Sequence, residues 1–274
     1  MRTAVIGCGT MGRAIATGLL RARVIVANTL SLADRVPGTA ETLAHELGAT
    51  AAADAAAAAT GSEVVLLCVK PGDVAPALTA MTDAGALNAR SLLISIAAGV
   101  TTHTIEAIVG PTIPVVRAMP NTPCRIGAGM TVITAGSAAT ADHLALARRY
   151  FEPLGRCLTL EEKHFDAVTA VSASGPAFIY VVIEALADGA VQCGLPRPVA
   201  TELVAQATVG AARMVLETGT HPAALKDDVT TPAGCTIAGL LSLEDARVRS
   251  ALARAVETTA HVAAGLGAKA EKPR

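Results

Sequence analysis

Hydrophobic and polar positions in the first 160 residues form two alternating kinds of segment. Short apolar runs predict β-strands over residues 3–6, 24–27, 63–69, 91–96, 113–117 and 130–134. The longer stretches between them, such as 11–20 and 41–47, have helical spacing. The runs at 63–69 and 91–96 are almost continuously apolar, as parallel strands buried on both faces require. This alternation predicts an α/β fold built on a doubly wound sheet.

The pattern changes near residue 160, after which few strand signals remain. Helices are predicted over 163–173, 177–193, 199–218 and 245–266. Gly194 and Gly219 stand where helices should stop, and prolines follow each of them closely. We therefore expect two domains, an α/β domain over residues 1–160 and an all-helical domain over residues 161–274.

Composition excludes several classes of function. Of the 274 residues, 52% are hydrophobic and 2% aromatic, and the net charge is −1. Few aromatic rings and no basic excess argue against nucleic-acid binding. The charge-free stretch between Asp166 and Glu184 is nearly long enough for a membrane span, but Gly175-Pro176 near its centre favours a buried helix of a soluble protein.

The six cysteines are widely spread and show no metal-ligand spacing. We expect reduced thiols in a cytoplasmic protein, with no secretory leader, no membrane partner and no bound metal.

The segment that directly follows the first strand carries the clearest motif. Gly7-Cys8-Gly9-Thr10-Met11-Gly12 is a G-x-G-x-x-G sequence that opens a helix. Its glycines allow a tight turn and a close approach of the backbone to a pyrophosphate, which the free N–H groups of the helix start can bind. We predict a dinucleotide cofactor held by Gly7, Gly9, Thr10, Met11 and Gly12.

The end of the second predicted strand should distinguish NAD from NADP. An acidic residue there would bond the ribose 2′-hydroxyl and repel a 2′-phosphate. The predicted strand 24–27 is followed by the neutral Asn28 and Thr29, with Arg35 beyond. This favours NADPH, with NADH as an alternative, although Arg35 could equally be a solvated surface charge.

Three further loops follow predicted strands and should meet at the same edge of the sheet. They carry Val69-Lys70-Pro71, the small residues Ala97-Ala98, and Asn121 between two prolines. Lys70 could neutralise a phosphate, and small side chains at 97 and 98 leave room for a nicotinamide ring. We predict cofactor contacts for all six residues, with an ordinary turn as the alternative for Asn121.

A Thr/Pro/Gly loop precedes another predicted helix near residue 236. Several unpaired N–H groups converge at such a helix start and can bind a carboxylate. Thr236 adds a hydroxyl that is either a functional group or an ordinary N-cap, and the spacing does not decide between the two.

Nearly the whole chain resembles the pyrroline-5-carboxylate reductase family. The resemblance rests on AVIGCGTMG, VVLLCVKP, SIAAGV, RAMPNTPCRIGAGMT, SASGPAFIYVVIEALADGAVQCGLP and LKDDVTTPAGCTIAGLLSLE. Departures occur at Ala173 and Phe178, where the family usually has Gly and Tyr, in the TPAGCT loop, which is commonly SPGGTT, and at Asp54, where an Asn near the adenosine ribose is common.

The resemblance implies a Rossmann-type doubly wound domain followed by an all-helical dimerisation domain, in a homodimer that can assemble further. It implies NADPH-dependent hydride transfer to the C=N carbon of 1-pyrroline-5-carboxylate, giving L-proline. It also implies that Thr236 bonds the imine nitrogen and that the loop holds the substrate, with contacts from Thr231, Ala233, Gly234, Cys235 and Thr236. A protonated imine needs geometry and a carboxylate anchor rather than a strong acid, which agrees with the lack of a His or a catalytic acidic dyad in the motifs.

Two other functions stay open from sequence. One is a reductase of the β-hydroxyacid dehydrogenase type, which would use a lysine base, with Lys163 and Lys226 as candidates. The other is a non-catalytic NADP-binding sensor, which would have no need of the Thr236 motif.

Overall fold

The structure is a computed structural model. It describes the backbone of residues 1–270 and the side chains of residues 1–265. The end of the predicted helical domain, residues 271–274, lies outside the described residues.

The first half of the chain forms one eight-stranded sheet with the strand order β3-β2-β1-β4-β5-β6-β7-β8. Strands β1 to β6 run parallel, β7 is antiparallel to β6, and β8 is parallel to β7. The chain moves outward from β1 in both directions, which confirms the predicted doubly wound sheet. The strands are β1 Thr3–Ile6, β2 Leu30–Ala33, β3 Thr50–Ala51, β4 Val64–Leu67, β5 Leu92–Ser95, β6 Val115–Met119, β7 Gly129–Ala135 and β8 Gly155–Thr159.

Helices connect most of the strands and dominate the described chain after β8. Those before residue 170 are α1 Thr10–Arg21, α2 Thr39–Leu47, α3 Ala55–Ala59, α4 Val74–Asp83, α5 Thr102–Val109, α6 Ala141–Phe151 and α7 Phe165–Val168. A π-helical turn, Thr169–Ala173, follows α7. The later helices are α8 Gly175–Gln192, α9 Arg197–Thr218, α10 Pro222–Asp228, α11 Cys235–Asp245 and α12 Val248–Ala270.

Two hydrophobic clusters cover the two faces of the sheet. Side chains alternate along each strand, so that Val5 belongs to one cluster while Ala4 and Ile6 belong to the other. Helices α1, α2 and α6 supply the first cluster, and α3, α4 and α5 supply the second. Each fully buried Val, Leu or Ile stabilises such a core by about 1.5–3 kcal/mol. The central strands must therefore be almost continuously apolar, as VVLL is and as LLIS is apart from Ser95.

The backbone divides into two compact units. One comprises residues 1–174 together with the described residues from 257 onward, and the other comprises residues 175–256. The boundary predicted between residues 160 and 161 falls within the first unit, because α7 and the π-helical turn belong to it.

The predicted strand over residues 24–27 is wrong. Residues Ala27–Thr29 form a 3₁₀ turn, and the strand that pairs with β1 is Leu30–Ala33. Arg23, with a φ of +58°, turns the chain after α1, and the β-branched residues that follow do not pair with β1, whose register with β2 begins at Leu30. The short strands β3 and β8 were not predicted, and β8 has only one buried residue, Cys157.

The helices of the second unit leave most of their apolar surface uncovered in the single chain. Only Ala187 is buried in α8 and only Ala200 in α9. The prediction of a buried helix after Gly175-Pro176 is therefore wrong for the isolated chain. Residues 162–192 and α9 are long and apolar enough to cross a membrane by length and composition. The same property fits helices that pack against another protein chain.

Candidate active site

The glycine-rich turn after β1 is shaped so that two of its glycines cannot be replaced. Gly7 has a φ of +98°, and a Cβ there would lie 2.7 Å from the carbonyl carbon and oxygen of Cys68. A Cβ on Gly12 would lie 1.9 Å from the Gly7 carbonyl oxygen. At Gly9 the same construction meets nothing within 4 Å. Gly7 and Gly12 thus permit close packing, and Gly9 faces open space where a phosphate can approach.

Helix α1 begins directly at this open space. Its N-cap is Gly9, and none of the described side chains caps it, so the N–H groups of its first turn are not taken by a capping side chain. Thr10 is exposed and Met11 half-buried in that turn. A 12-residue helix with such a start is a suitable site for a pyrophosphate, and the residues present fit a dinucleotide.

The loops after β4, β5 and β6 lie at the same edge, because these strands run parallel to β1 and follow it in the sheet. They carry Val69-Lys70-Pro71, Ala97-Ala98 and Asn121, as predicted from sequence. Lys70 is exposed, Ala97 is buried, and Ala98 packs against the small cluster of Met119, Val132 and Phe165.

Asn121 fastens its loop to two neighbours. Its side-chain oxygen accepts a hydrogen bond from the Met130 N–H at 2.8 Å, and its Nδ2 donates to the Ser172 carbonyl at 3.0 Å. These bonds tie the loop after β6 to β7 and to the π-helical turn. The structure therefore gives Asn121 a positioning role, while its predicted cofactor contact stays a prediction.

A cavity of about 400 Å³ opens beside the glycine-rich turn. It is lined by Ile6, Gly7, Ala33, Asp34, Arg35, Ala53, Asp54, Ala55, Val69, Asp73, Pro76, Ala77 and Ala80. Its position beyond the ends of β1, β2 and β4 is where the adenosine half of a dinucleotide binds in a doubly wound fold. Asn28 and Thr29 precede β2 and so lie at the opposite edge of the sheet. Their assignment to the cofactor followed from the misplaced strand and is wrong.

The residue that directly follows β2 is Asp34, which was not among the residues predicted from the sequence. Its Oδ2 accepts from the Cys8 N–H at 2.6 Å, and its Oδ1 accepts from the Val36 N–H at 2.8 Å. Arg35 is exposed and pairs with Asp73 at 3.2 Å across the cavity wall. An Asp-Arg pair after the alternating segment LSLA was the available signal.

Asp54, the position where the family commonly has Asn, caps α3 through a 2.7 Å bond from the Ala57 N–H and also lines the cavity.

The thiols beneath the glycine-rich turn are neutral. Burial, and then the nearby Asp34 carboxylate, raise the pKa of Cys8 to about 12, and burial likewise raises the pKa of Cys68. These thiols act as apolar packing groups rather than as nucleophiles.

The predicted substrate residues lie in the loop between α10 and α11 and in the first turn of α11. The Thr230 hydroxyl donates to the Lys226 carbonyl at 2.7 Å, and the Gly234 N–H donates to the Thr231 carbonyl at 3.0 Å. A Cβ on Gly234 would lie 2.4 Å from Thr231 Oγ1, so a side chain at this position would require the Thr231 hydroxyl to move. Ala233 has a φ of +56°, the left-handed region that Gly adopts without strain.

Thr236 is not the cap of α11. The N-cap is Gly234, and none of the described side chains caps this helix. Thr236 is the second residue of α11 and half-buried, and no hydrogen bond joins its hydroxyl to the described residues. The hydroxyl and the first-turn N–H groups are thus available together, as a bound carboxylate and a neighbouring hydrogen-bonding atom require.

Comparison with known proteins decides the family. Residues 162–266 match the family model described as pyrroline-5-carboxylate reductase dimerisation, and residues 2–99 match the model of NADP oxidoreductase, coenzyme F420-dependent. The chain is 40% identical to pyrroline-5-carboxylate reductase of Schizosaccharomyces pombe, covering 96% of this chain and 98% of the relative. It is 38% identical to that of Escherichia coli, covering 92% and 93%. The chain belongs to the pyrroline-5-carboxylate reductase family.

Solved structures of the pyrroline-5-carboxylate reductase family share the fold throughout. The Plasmodium falciparum enzyme, solved with NADP bound, has a TM-score of 0.87 at 28% identity and covers 97% of this chain and 98% of its own. The Coxiella burnetii structure gives 0.88 at 32% identity, with the same coverage. A prephenate dehydrogenase at 16% identity and a TM-score of 0.53 shares the fold alone.

A β-hydroxyacid dehydrogenase would need a lysine as its base. Of the two candidates, Lys163 is exposed and Lys226 is partly exposed, and each forms an ion pair. Lys163 pairs with Glu161 at 2.6 Å, and Lys226 pairs with Asp227. Among the described residues there is also no group of three side chains suited to hold a metal ion. Membership of the pyrroline-5-carboxylate reductase family explains the Thr236 motif, which the β-hydroxyacid dehydrogenase alternative does not.

Proposed function

We propose that this chain reduces the C=N bond of 1-pyrroline-5-carboxylate with NADPH and releases L-proline. The observation that carries the proposal is Thr236, whose hydroxyl is not used as a helix cap and stands at an uncapped helix start in the family's most specific motif. Relatives named pyrroline-5-carboxylate reductase, 38–40% identical over nearly the whole chain, support the same substrate.

NADPH, when bound, supplies the hydride from its nicotinamide ring. This chain supplies the binding groups: the turn from Gly7 to Gly12 and the start of α1 for the pyrophosphate, and the cavity beyond β2 for the adenosine. Val69 lines that cavity. Lys70, Pro71, Ala97, Ala98 and Asn121 follow neighbouring strands at the same edge and are proposed to contact the rest of the cofactor.

The loop before α11 is proposed to hold the substrate. Backbone N–H groups around Ala233, Gly234 and Cys235 bind the carboxylate, and Thr231 shapes the turn by its contact with Gly234. The Thr236 hydroxyl bonds the imine nitrogen. The segment from Val229 to Thr236 contains no His, Asp or Glu, which agrees with binding of the substrate as the protonated iminium, whose carbon already accepts hydride readily.

We further propose a homodimer formed by the helical domain that the sequence predicts to begin at residue 161. Exposed apolar residues on α8 and α9, among them Tyr180, Val181 and Leu203, support it, since such surface is unusual on a monomer. The match to a dimerisation family over residues 162–266 points the same way. A cytoplasmic location is supported by cysteines that are all free.

The test is NADPH oxidation followed at 340 nm with 1-pyrroline-5-carboxylate, beside a panel of hydroxyacids and keto acids. Turnover on the imine with formation of proline is expected, with little or no turnover on the panel. NADPH binding without turnover on any substrate would indicate a sensor instead. Turnover only on a hydroxyacid would indicate the β-hydroxyacid dehydrogenase alternative.

A further inference from the structure

The acidic residue at the end of β2 bears on cofactor choice. Asp34 immediately follows Ala33, the last residue of β2, and lines the adenosine-end cavity. In a doubly wound dinucleotide fold, a carboxylate at this position accepts a hydrogen bond from the ribose 2′-hydroxyl and repels a 2′-phosphate. A neutral pair had been expected here, so the structure reverses the premise on which a preference for NADPH rested.

The Asp34 carboxylate is held in place by the backbone. The Cys8 N–H bonds one of its oxygens at 2.6 Å, and the Val36 N–H bonds the other at 2.8 Å. Each carboxylate oxygen has two lone pairs, so both oxygens can still accept from a ligand hydroxyl. Because Cys8 belongs to the glycine-rich turn, Asp34 is fixed relative to the pyrophosphate site, which is the preorganisation that a selective contact needs.

The charges around the cavity act in the same direction. Its lining carries three carboxylates, Asp34, Asp54 and Asp73, against one cation, Arg35. Arg35 already pairs with Asp73 at 3.2 Å and is 77% exposed. A 2′-phosphate brings about −1.5 to −2 charges into these surroundings, whereas a free ribose brings none. Arg35 is the lining cation that a 2′-phosphate can recruit, at the cost of its bond with Asp73.

We propose that Asp34 binds the adenosine-ribose 2′-hydroxyl of NADH and makes NADH an effective second cofactor beside NADPH. The inference rests on the proposed function for the reaction itself, but its site lies wholly within the residues that line this cavity. Asp34 is thus a specificity-determining residue for the reduction.

Binding to the substrate-free protein tests this directly. Dissociation constants for NADH and NADPH are measured by calorimetry for the wild type, Asp34→Asn and Asp142→Asn, the last being an exposed carboxylate on α6. We expect the wild-type constants to lie within roughly tenfold of each other. In Asp34→Asn the ratio of the NADH constant to the NADPH constant should rise at least threefold, and in Asp142→Asn it should not change.

A ratio in Asp34→Asn that stays within threefold of the wild-type value overturns the inference, as does an equal change in Asp142→Asn. If Asp34→Asn fails to fold, Asp34→Ser provides the same comparison, because it also removes the charge. Catalytic efficiencies with both cofactors on 1-pyrroline-5-carboxylate are measured in parallel. No turnover with either cofactor refutes the proposed function, whereas turnover with an unshifted ratio refutes only the role of Asp34.

Discussion

At the residue scale, the start of α11 differs from an ordinary helix start. Helices usually begin with a Ser, Thr, Asp or Asn whose side chain bonds a first-turn N–H. Here Gly234 occupies the cap and Thr236 stands two residues inside the helix, with its hydroxyl unused by the described residues. A preceding Ala in the left-handed region adds a local cost of about 1 kcal/mol. The missing side-chain cap and the left-handed Ala233 both lower the free energy of unfolding, as is common where backbone groups bind a ligand.

Removing the Thr236 hydroxyl should therefore impair catalysis without unfolding the helix. For Thr236→Ala we expect kcat/KM for 1-pyrroline-5-carboxylate to fall ten- to a hundredfold, roughly 1.4–2.7 kcal/mol of transition-state stabilisation. Thr236→Ser keeps the hydroxyl and should retain most of the activity. Thermal unfolding of the two variants should be similar to that of the wild type. An unchanged kcat/KM in Thr236→Ala would leave the hydroxyl without a catalytic role.

Some residues of the candidate site could be predicted from the sequence and others could not. Gly7 and Gly12 could be predicted because their requirement is steric and local, and the structure confirms that no Cβ fits at either position. Asp34 could not, because its role depends on which residue ends β2. The apolar VIVA and the alternating LSLA are both plausible strands, and only pairing with β1 selects the second.

At the element scale, one buried ion pair joins β6 to the segment before α7. The Arg117 guanidinium is 3% exposed, bonds Glu162 at 3.0 Å and lies 4.6 Å from the centre of the Phe165 ring. Glu162 also accepts from the N–H and the hydroxyl of Thr102 at the start of α5. Three elements of the chain thus depend on one carboxylate.

Glu162→Ala should leave the Arg117 charge buried without its partner. We expect the free energy of unfolding to fall by about 3 kcal/mol, because removing one partner of a buried pair leaves an uncompensated charge. The control is Glu152→Ala, which removes an exposed pair with Arg148 at 3.5 Å and should cost less than about 1 kcal/mol. Urea denaturation measures both, and equal losses in the two variants would contradict the role given to Glu162.

Most elements could be predicted where their pattern was long or fully apolar. β1, β4, β5 and the long helices α8 and α9 lie within one or two residues of their expected positions, since burial of both faces or a continuous helical run leaves few alternatives. β3 has two residues, and β8 carries the largely polar, exposed sequence GRCLT, so neither produces a hydrophobic signal. The π-helical turn after α7 had no signal in the sequence, because the same side chains suit an α-helix.

At the scale of the whole molecule, apolar surface is divided unevenly between the two units. Substituting a charge on the exposed helices should separate the proposed homodimer. We expect Val181→Asp on α8 and Leu203→Asp on α9 to sediment as monomers, because an interface would bury the new charge without a partner. Ile126→Asp, at a residue that is 78% exposed in the sheet unit, should sediment as the wild type does. A monomeric wild type, or two variants that remain dimeric, would refute this interface.

Buried thiols should make the fold less stable in alkali. Burial raises the pKa of Cys8 to about 12 and the pKa of Cys157 to about 11, while a thiol in the unfolded chain has a pKa of about 8.5. Between these values the folded state holds more protons than the unfolded state, so the free energy of unfolding falls as pH rises, by about 1.4 kcal/mol per pH unit for each thiol.

Urea denaturation under reducing conditions from pH 8 to 10.5, at one protein concentration, measures this dependence. The double variant Cys8→Ala/Cys157→Ala should show a slope that is shallower by the contribution of two thiols. A slope identical to that of the wild type would assign the effect to other groups.

The order of the units along the chain has a consequence for biosynthesis. The core clusters on both faces of the sheet are complete by Leu154 and Cys157, before the helices from α8 onward have been translated. The residues that form the sheet and its core therefore leave the ribosome first, and the exposed apolar helices follow. In the proposed homodimer these helices stay exposed to water until a second copy covers them, so we expect the yield of assembled protein to depend on how many nascent chains are made close together.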